Sequence, residues 1–81
     1  MMNNVEIINI ESIYFENDPV YIILFYRNQS YDMIVERYGY HDFKYYYYEE
    51  SIPNEETRKE IEEYLYNRFL NYEEWNRIKK Y

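Results

Sequence analysis

The chain has 81 residues, with sixteen Asp and Glu against nine Lys and Arg, a formal net charge of −7, fourteen Tyr, four Phe, one Trp and no Cys. That length fits one domain spanning residues 1–81, and the lack of Cys excludes disulfides and thiolate metal sites and points to a reducing, cytoplasmic setting. The acidic balance works against nucleic acid and anionic lipid as direct partners and toward a basic protein, while no apolar run approaches the roughly 18 residues of a membrane-spanning helix and no basic leader opens the chain.

Residues 4–15 read as a first strand. Val5, Ile7, Ile13 and Phe15 fall on odd positions, but Ile8, Ile10 and Tyr14 fall on even ones. The apolar set changes face near Asn9–Ser12, so a bulge is expected there. Asn17-Asp18-Pro19 reads as a turn, because Asn and Asp bond their own backbone and Pro pre-sets φ.

Residues 20–27 form the one stretch that is apolar on both alternating faces, with Val20, Ile22, Leu24 and Tyr26 on one side and Tyr21, Ile23 and Phe25 on the other. A short run rich in β-branched and aromatic types suits a central strand. A turn is expected at Asn28-Gln29-Ser30.

A third strand is expected over residues 31–38, with Tyr31, Met33 and Val35 on a dry face and Asp32, Ile34 and Glu36 on a wetter one. Gly39, the only glycine, marks the next turn, where a positive φ would require it. A fourth strand over residues 42–50 sets Phe43, Tyr45 and Tyr47 against Lys44, Tyr46 and Tyr48.

After Pro53 the period changes to that of a helix. Asn54 can cap it, and Glu55 and Glu56 suit its positive end. Over residues 54–70, Ile61, Tyr64, Leu65 and Phe69 form a stripe that Tyr72 and Trp75 continue. Glu63, Tyr66, Leu70, Glu74 and Arg77 fall on the opposite side. Asn71 followed by Glu74 matches a capping box, so a kink or a second helix over 72–80 is expected. The expected class is α+β: a small antiparallel meander of three or four strands with a C-terminal helix on one face. One helical segment cannot cover both faces of such a sheet, and the bare face suggests a contact surface or a two-fold self-pairing. Tyr66 and Leu70 could contribute to such pairing instead.

No reaction chemistry is legible. His41 is the only histidine, and His41-Asp42 lacks the further ligands that a metal hydrolase needs. Ser12, Ser30, Ser51 and Thr57 would have to share that one base. Paired carboxylates such as Glu62-Glu63 and Glu73-Glu74 read as solvated helix faces. Tyr45 to Tyr48 could stack bases, but stacking platforms come with a positive groove, and residues 42–50 hold one Lys against three acids. Neither enzyme activity, cofactor nor metal is expected.

The charge is uneven: nine acids and three bases in residues 1–50 leave −6, and seven acids and six bases in residues 51–81 leave −1. Carboxylates spaced along a surface can stand in for phosphates, and neighbouring tyrosines add buried area with little entropy loss. Tyr46, Tyr48, Glu49, Glu50, Glu55 and Glu56 are the candidate partner contacts. Two blander readings stand beside this one: the acids serve solubility, and the Tyr and Ile excess reflects an AT-rich gene.

A short, Cys-free, acidic chain with carboxylates adjoining tyrosines at residues 45–50 and 55–63 resembles, in overall design, the small inhibitor proteins of phages and mobile elements, of the anti-CRISPR and anti-restriction type. The resemblance implies a non-enzymatic inhibitor that blocks the nucleic-acid-binding surface of a basic effector in the host cytoplasm. Antitoxins and immunity proteins share the design. A structural or homo-oligomeric module is the alternative from another class.

Overall fold

The structure, a computed structural model, describes residues 5–13, 16 and 19–78. Strands β1 (Glu6–Ser12), β2 (Val20–Tyr26), β3 (Gln29–Arg37) and β4 (Phe43–Tyr47) form one antiparallel sheet in the order β1-β2-β3-β4. A 3₁₀ turn at Glu49–Ser51 leads to helices α1 (Glu55–Phe69) and α2 (Tyr72–Ile78). The fold is therefore α+β, with the helices against one face of a four-stranded meander.

The faces follow the alternation in the sequence. Val20, Ile22, Leu24 and Tyr26 of β2 are buried, as are Tyr31, Met33 and Val35 of β3. They form one core with Ile61, Leu65 and Phe69 of α1 and Trp75 of α2. Those α1 residues recur at helical spacing, so one stripe meets the sheet. Phe43, Tyr45, Tyr47 and Tyr64 pack around its rim.

In β1 the pairing with β2 shifts register between Ile7 and Asn9. Ile8 is the extra residue, one position upstream of the expected bulge. It turns outward while Ile7 and Ile10 both reach the core, which resolves the change of face. Ile13 N–H donates to Pro19 O at 3.0 Å where the hairpin closes. Asn17 and Asp18 lie outside the described residues.

Three connections differ from expectation. Between β2 and β3 only Arg27 and Asn28 turn, with φ of 53° and 63°. A two-residue turn with two positive φ values matches the right-handed twist of the strands. Gln29 and Ser30 are thereby free to pair with Tyr26 and Phe25. Gly39 has no positive φ; an added Cβ there would meet only Asp42 Cβ, at 3.7 Å. Its turn is held instead by Tyr38 N–H donating to Asp42 O at 2.8 Å. Strand β4 ends at Tyr47, because the chain tightens after Tyr48 and Ser51 N–H donates back to Tyr48 O at 2.7 Å.

Asn54 caps α1, its Oδ1 accepting from Thr57 N–H at 2.8 Å. The helix ends where Leu70 N–H donates to Tyr66 O. Asn71 Oδ1 then accepts from Glu74 N–H at 3.1 Å. The Glu74 carboxylate does not return to the Asn71 backbone as a full capping box requires; it accepts from Arg68 Nε at 2.9 Å. Residues 79–80 of the expected second helix lie outside the described residues. Tyr66 is not a free outward side chain. Its ring packs edge-on against Phe43 at 5.8 Å, so the helix meets β4 along a broader front than its aliphatic stripe.

Candidate functional site

The helices cover one face of the sheet. Among the described residues nothing lies over the other. Paired strand residues share a face, so the register assigns its members. Glu11, Tyr21, Ile34 and Tyr46 form one cross-strand row, and Asn9, Ile23 and Asp32 form the next. Tyr48 continues the second row, since its N–H donates to Asp32 O at 3.1 Å. Glu6, Phe25 and Ser30 form a third, and Glu36 faces Lys44 at the other end. Phe25, Tyr46 and Tyr48 are 38%, 47% and 45% exposed. Phe25 lies on β2, Tyr46 on β4 and Tyr48 just beyond it, with Asp32 and Ile34 of β3 between them, so they belong to one amphipathic surface rather than to scattered apolar positions.

The tyrosines on this face are held in place by their partners. Tyr21 Oη donates to Asp32 Oδ2 at 3.3 Å, and its ring meets that of Tyr48 edge-on at 5.8 Å. Burial, followed by the charge and hydrogen bond of Asp32, pushes the Tyr21 phenol pKa upward. Tyr38 donates to the Glu36 carboxylate, and Lys44 Nζ sits 5.2 Å from the Tyr38 ring centroid. The hydrogen bond to Glu36, then one with Tyr46, raises the Tyr38 pKa. Each phenol remains a neutral donor over the physiological range.

The structure brings some expected contact residues together and separates others. Tyr46 and Tyr48 stand on the open face. Glu49 and Glu50 follow directly in the exposed 3₁₀ turn. Glu55 and Glu56 occupy the first turn of α1, in the layer behind the sheet. Among the described residues, no hydrogen bond or ion pair links these four carboxylates to the two tyrosines. Tyr21, Phe25, Asp32 and Ile34 join the surface although they were not among the expected partner contacts. Their signal was available: in the alternation of β2 and β3 they fall opposite the core positions. Asp32 was expected on the wetter face of the third strand, and the two-residue turn sets it across from Ile23.

His41 is exposed in the turn before β4. Its ring centroid lies 4.7 Å from that of Tyr40, and its Nδ1 lies 3.4 Å from Tyr66 Oη. Among the described residues no three His, Cys, Asp or Glu side chains converge as metal ligands. No described helix is long and apolar enough to cross a membrane.

Comparison with family models, curated proteins and solved structures gives no match for this chain.

Proposed function

We propose that this chain is a non-enzymatic binding protein that docks its open sheet face on a basic, nucleic-acid-handling protein and blocks the nucleic-acid-binding surface there. In the design it resembles, that role is an anti-CRISPR or other anti-defence inhibitor acting in the host cytoplasm. The observation that carries this reading is the uncovered face itself. It combines the half-exposed rings of Tyr46 and Tyr48 with carboxylates on neighbouring strands, on a chain of net charge −7. Carboxylates on the rim steer encounter, and rings at the centre supply desolvated contact area. Glu49 and Glu50 extend the acidic rim beyond Tyr48, and Glu55 and Glu56 steer from the helix side.

Self-pairing of the same face is the second reading, favoured by the exposure of Ile8 at 58% and of Phe25 at 38%. Two copies would bring Glu6, Glu11 and Asp32 against their own kind, and like charges facing each other are costly. The foreign basic partner is therefore the preferred occupant.

The test is capture from a lysate of the source cells at low and high salt, using the wild type and a Glu49→Lys/Glu55→Lys variant. The expected result is a basic protein retained at low salt, lost to the variant, and unable to hold a labelled oligonucleotide once the wild-type chain is added. Recovery of nothing basic at low salt overturns the proposal. Light scattering that shows a dimer indifferent to the charge reversal favours the self-pairing module.

A further inference from the structure

We infer that Asp32, Tyr21 and Tyr48 form a receptacle on the open face for one arginine side chain of the basic partner. The inference rests on the docking role proposed above and names the chemistry at its centre. Asp32 lies on the interior strand β3, half-buried, with Ile23 directly across on β2. Tyr21 supplies one hydrogen bond to Oδ2. A carboxylate accepts at two oxygens and about four lone-pair sites, so one hydrogen bond leaves most of its capacity for a ligand. Among the described residues no cation pairs with it. The ion pairs of Arg27, Arg58 and Arg68 all engage helix carboxylates, those of Glu60, Glu62 and Glu74. Lys44, across from Glu36, is turned to the Tyr38 ring.

The surroundings of Asp32 favour arginine over lysine. The Tyr21 and Tyr48 rings meet edge-on at 64°, and Tyr21 Oη bonds the carboxylate, so aromatic surface adjoins the charge. A guanidinium is planar, weakly hydrated, able to stack on an aromatic face and able to bond a carboxylate through two N–H groups at once. An ammonium is a strongly hydrated point charge and loses more on entering a half-dry site. Glu11, paired with Tyr21, adds negative potential at the entrance.

The test titrates the purified chain with oligo-arginine and oligo-lysine peptides of equal length at low salt, following backbone amide NMR shifts. The wild type is expected to bind oligo-arginine roughly tenfold more tightly, with the largest shifts around Tyr21, Asp32 and Tyr48. Asp32→Asn, which keeps the shape and removes the charge, should bring the two peptides level, and Tyr48→Leu should reduce the preference. Glu6→Gln, a charge removed elsewhere on the same face, should weaken both peptides equally. Equal wild-type affinity for the two, or an arginine preference that survives Asp32→Asn, overturns the receptacle and leaves the docking role standing. No binding of either peptide overturns both.

Discussion

The Arg37 guanidinium at the end of β3 binds the last carbonyl of α1: its Nη1 donates to Phe69 O at 3.2 Å. The same group donates from Nε to Gly39 O at 3.1 Å and from Nη2 to Tyr40 O at 2.7 Å. Its carbon lies 4.8 Å from the Phe43 ring centroid and 5.3 Å from that of Trp75. Helix ends leave carbonyls without intrahelical partners, and a forked donor between aromatic rings satisfies one here while fixing the turn before β4. Arg37→Ala is expected to cost about 3 kcal/mol, because it orphans the buried Phe69 carbonyl and removes the packing between the Phe43 and Trp75 rings. Arg37→Lys should cost about 2 kcal/mol, since the three N–H groups of an ammonium share one nitrogen and cannot span the acceptors that Nε, Nη1 and Nη2 reach separately. Urea unfolding measures both, and an unchanged midpoint in Arg37→Lys would remove this residue from its role.

Alkaline pH should loosen the sheet from the helix. Tyr26 Oη donates to Glu60 Oε1 at 2.8 Å and Tyr47 Oη to Glu62 Oε2 at 2.9 Å. The bond to Glu60, then burial, raises the Tyr26 pKa; burial, then the bond to Glu62, raises that of Tyr47. The unfolded chain releases these protons near pH 10, while the folded chain retains them. The unfolded state thus binds fewer protons above that point, and stability falls as pH rises. It is complete below about pH 10 and lost progressively toward the raised folded values. Chemical unfolding between about pH 8 and 11 should show this slope, with Tyr47→Phe flattening it. A midpoint independent of pH across that window would contradict the two bonds.

Asn28→Gly should stabilise the protein by roughly 0.5–1 kcal/mol, because a left-handed backbone is costly for a residue with Cβ. Thermal unfolding reads the change. A loss of similar size would mean that the turn is not the two-residue form with φ of 63° at Asn28.

Trp75 is the single tryptophan and lies 5.2 Å from the Phe69 ring and 5.8 Å from that of Phe43, centroid to centroid. Its fluorescence should be blue-shifted when folded and move to the red in one step with the circular dichroism signal of the sheet. Trp75→Ala should cost about 3–5 kcal/mol. A red-shifted emission in the folded protein would place α2 off the core.

The strand faces were legible because period two leaves little choice once one side must be dry: Ile22 and Met33 had to turn inward, and Asp32 and Tyr46 outward. Asn54 was legible as a cap for a local reason, since its bond spans three residues. The Arg27-Asn28 turn was not, because neither residue is the glycine that announces positive φ. Arg37 shares the parity of Tyr31, Met33 and Val35, but its charge disguised a core position whose partners are the carbonyls of Gly39, Tyr40 and, distant in sequence, Phe69. The open-face surface needed register as well as parity. Tyr48 reaches Asp32 through a backbone bond across strands, which alternation along either strand alone does not reveal.

Strand β2 is enclosed on both sides by β1 and β3, and this position has a consequence for self-templated fibre growth. Val20–Tyr26 is seven residues without charge or proline, the composition from which cross-β stacks assemble. In the folded chain its backbone is paired with β1 on one side and β3 on the other. The outer strands are poor templates: β4 is five residues long, and β1 is broken in step at Ile8 and carries Glu6 and Glu11. Irregular, charged and short edges resist strand addition. The fold thus keeps its most amyloid-prone segment on an interior strand, with no free edge, and exposure of that segment requires β1 or β3 to peel away.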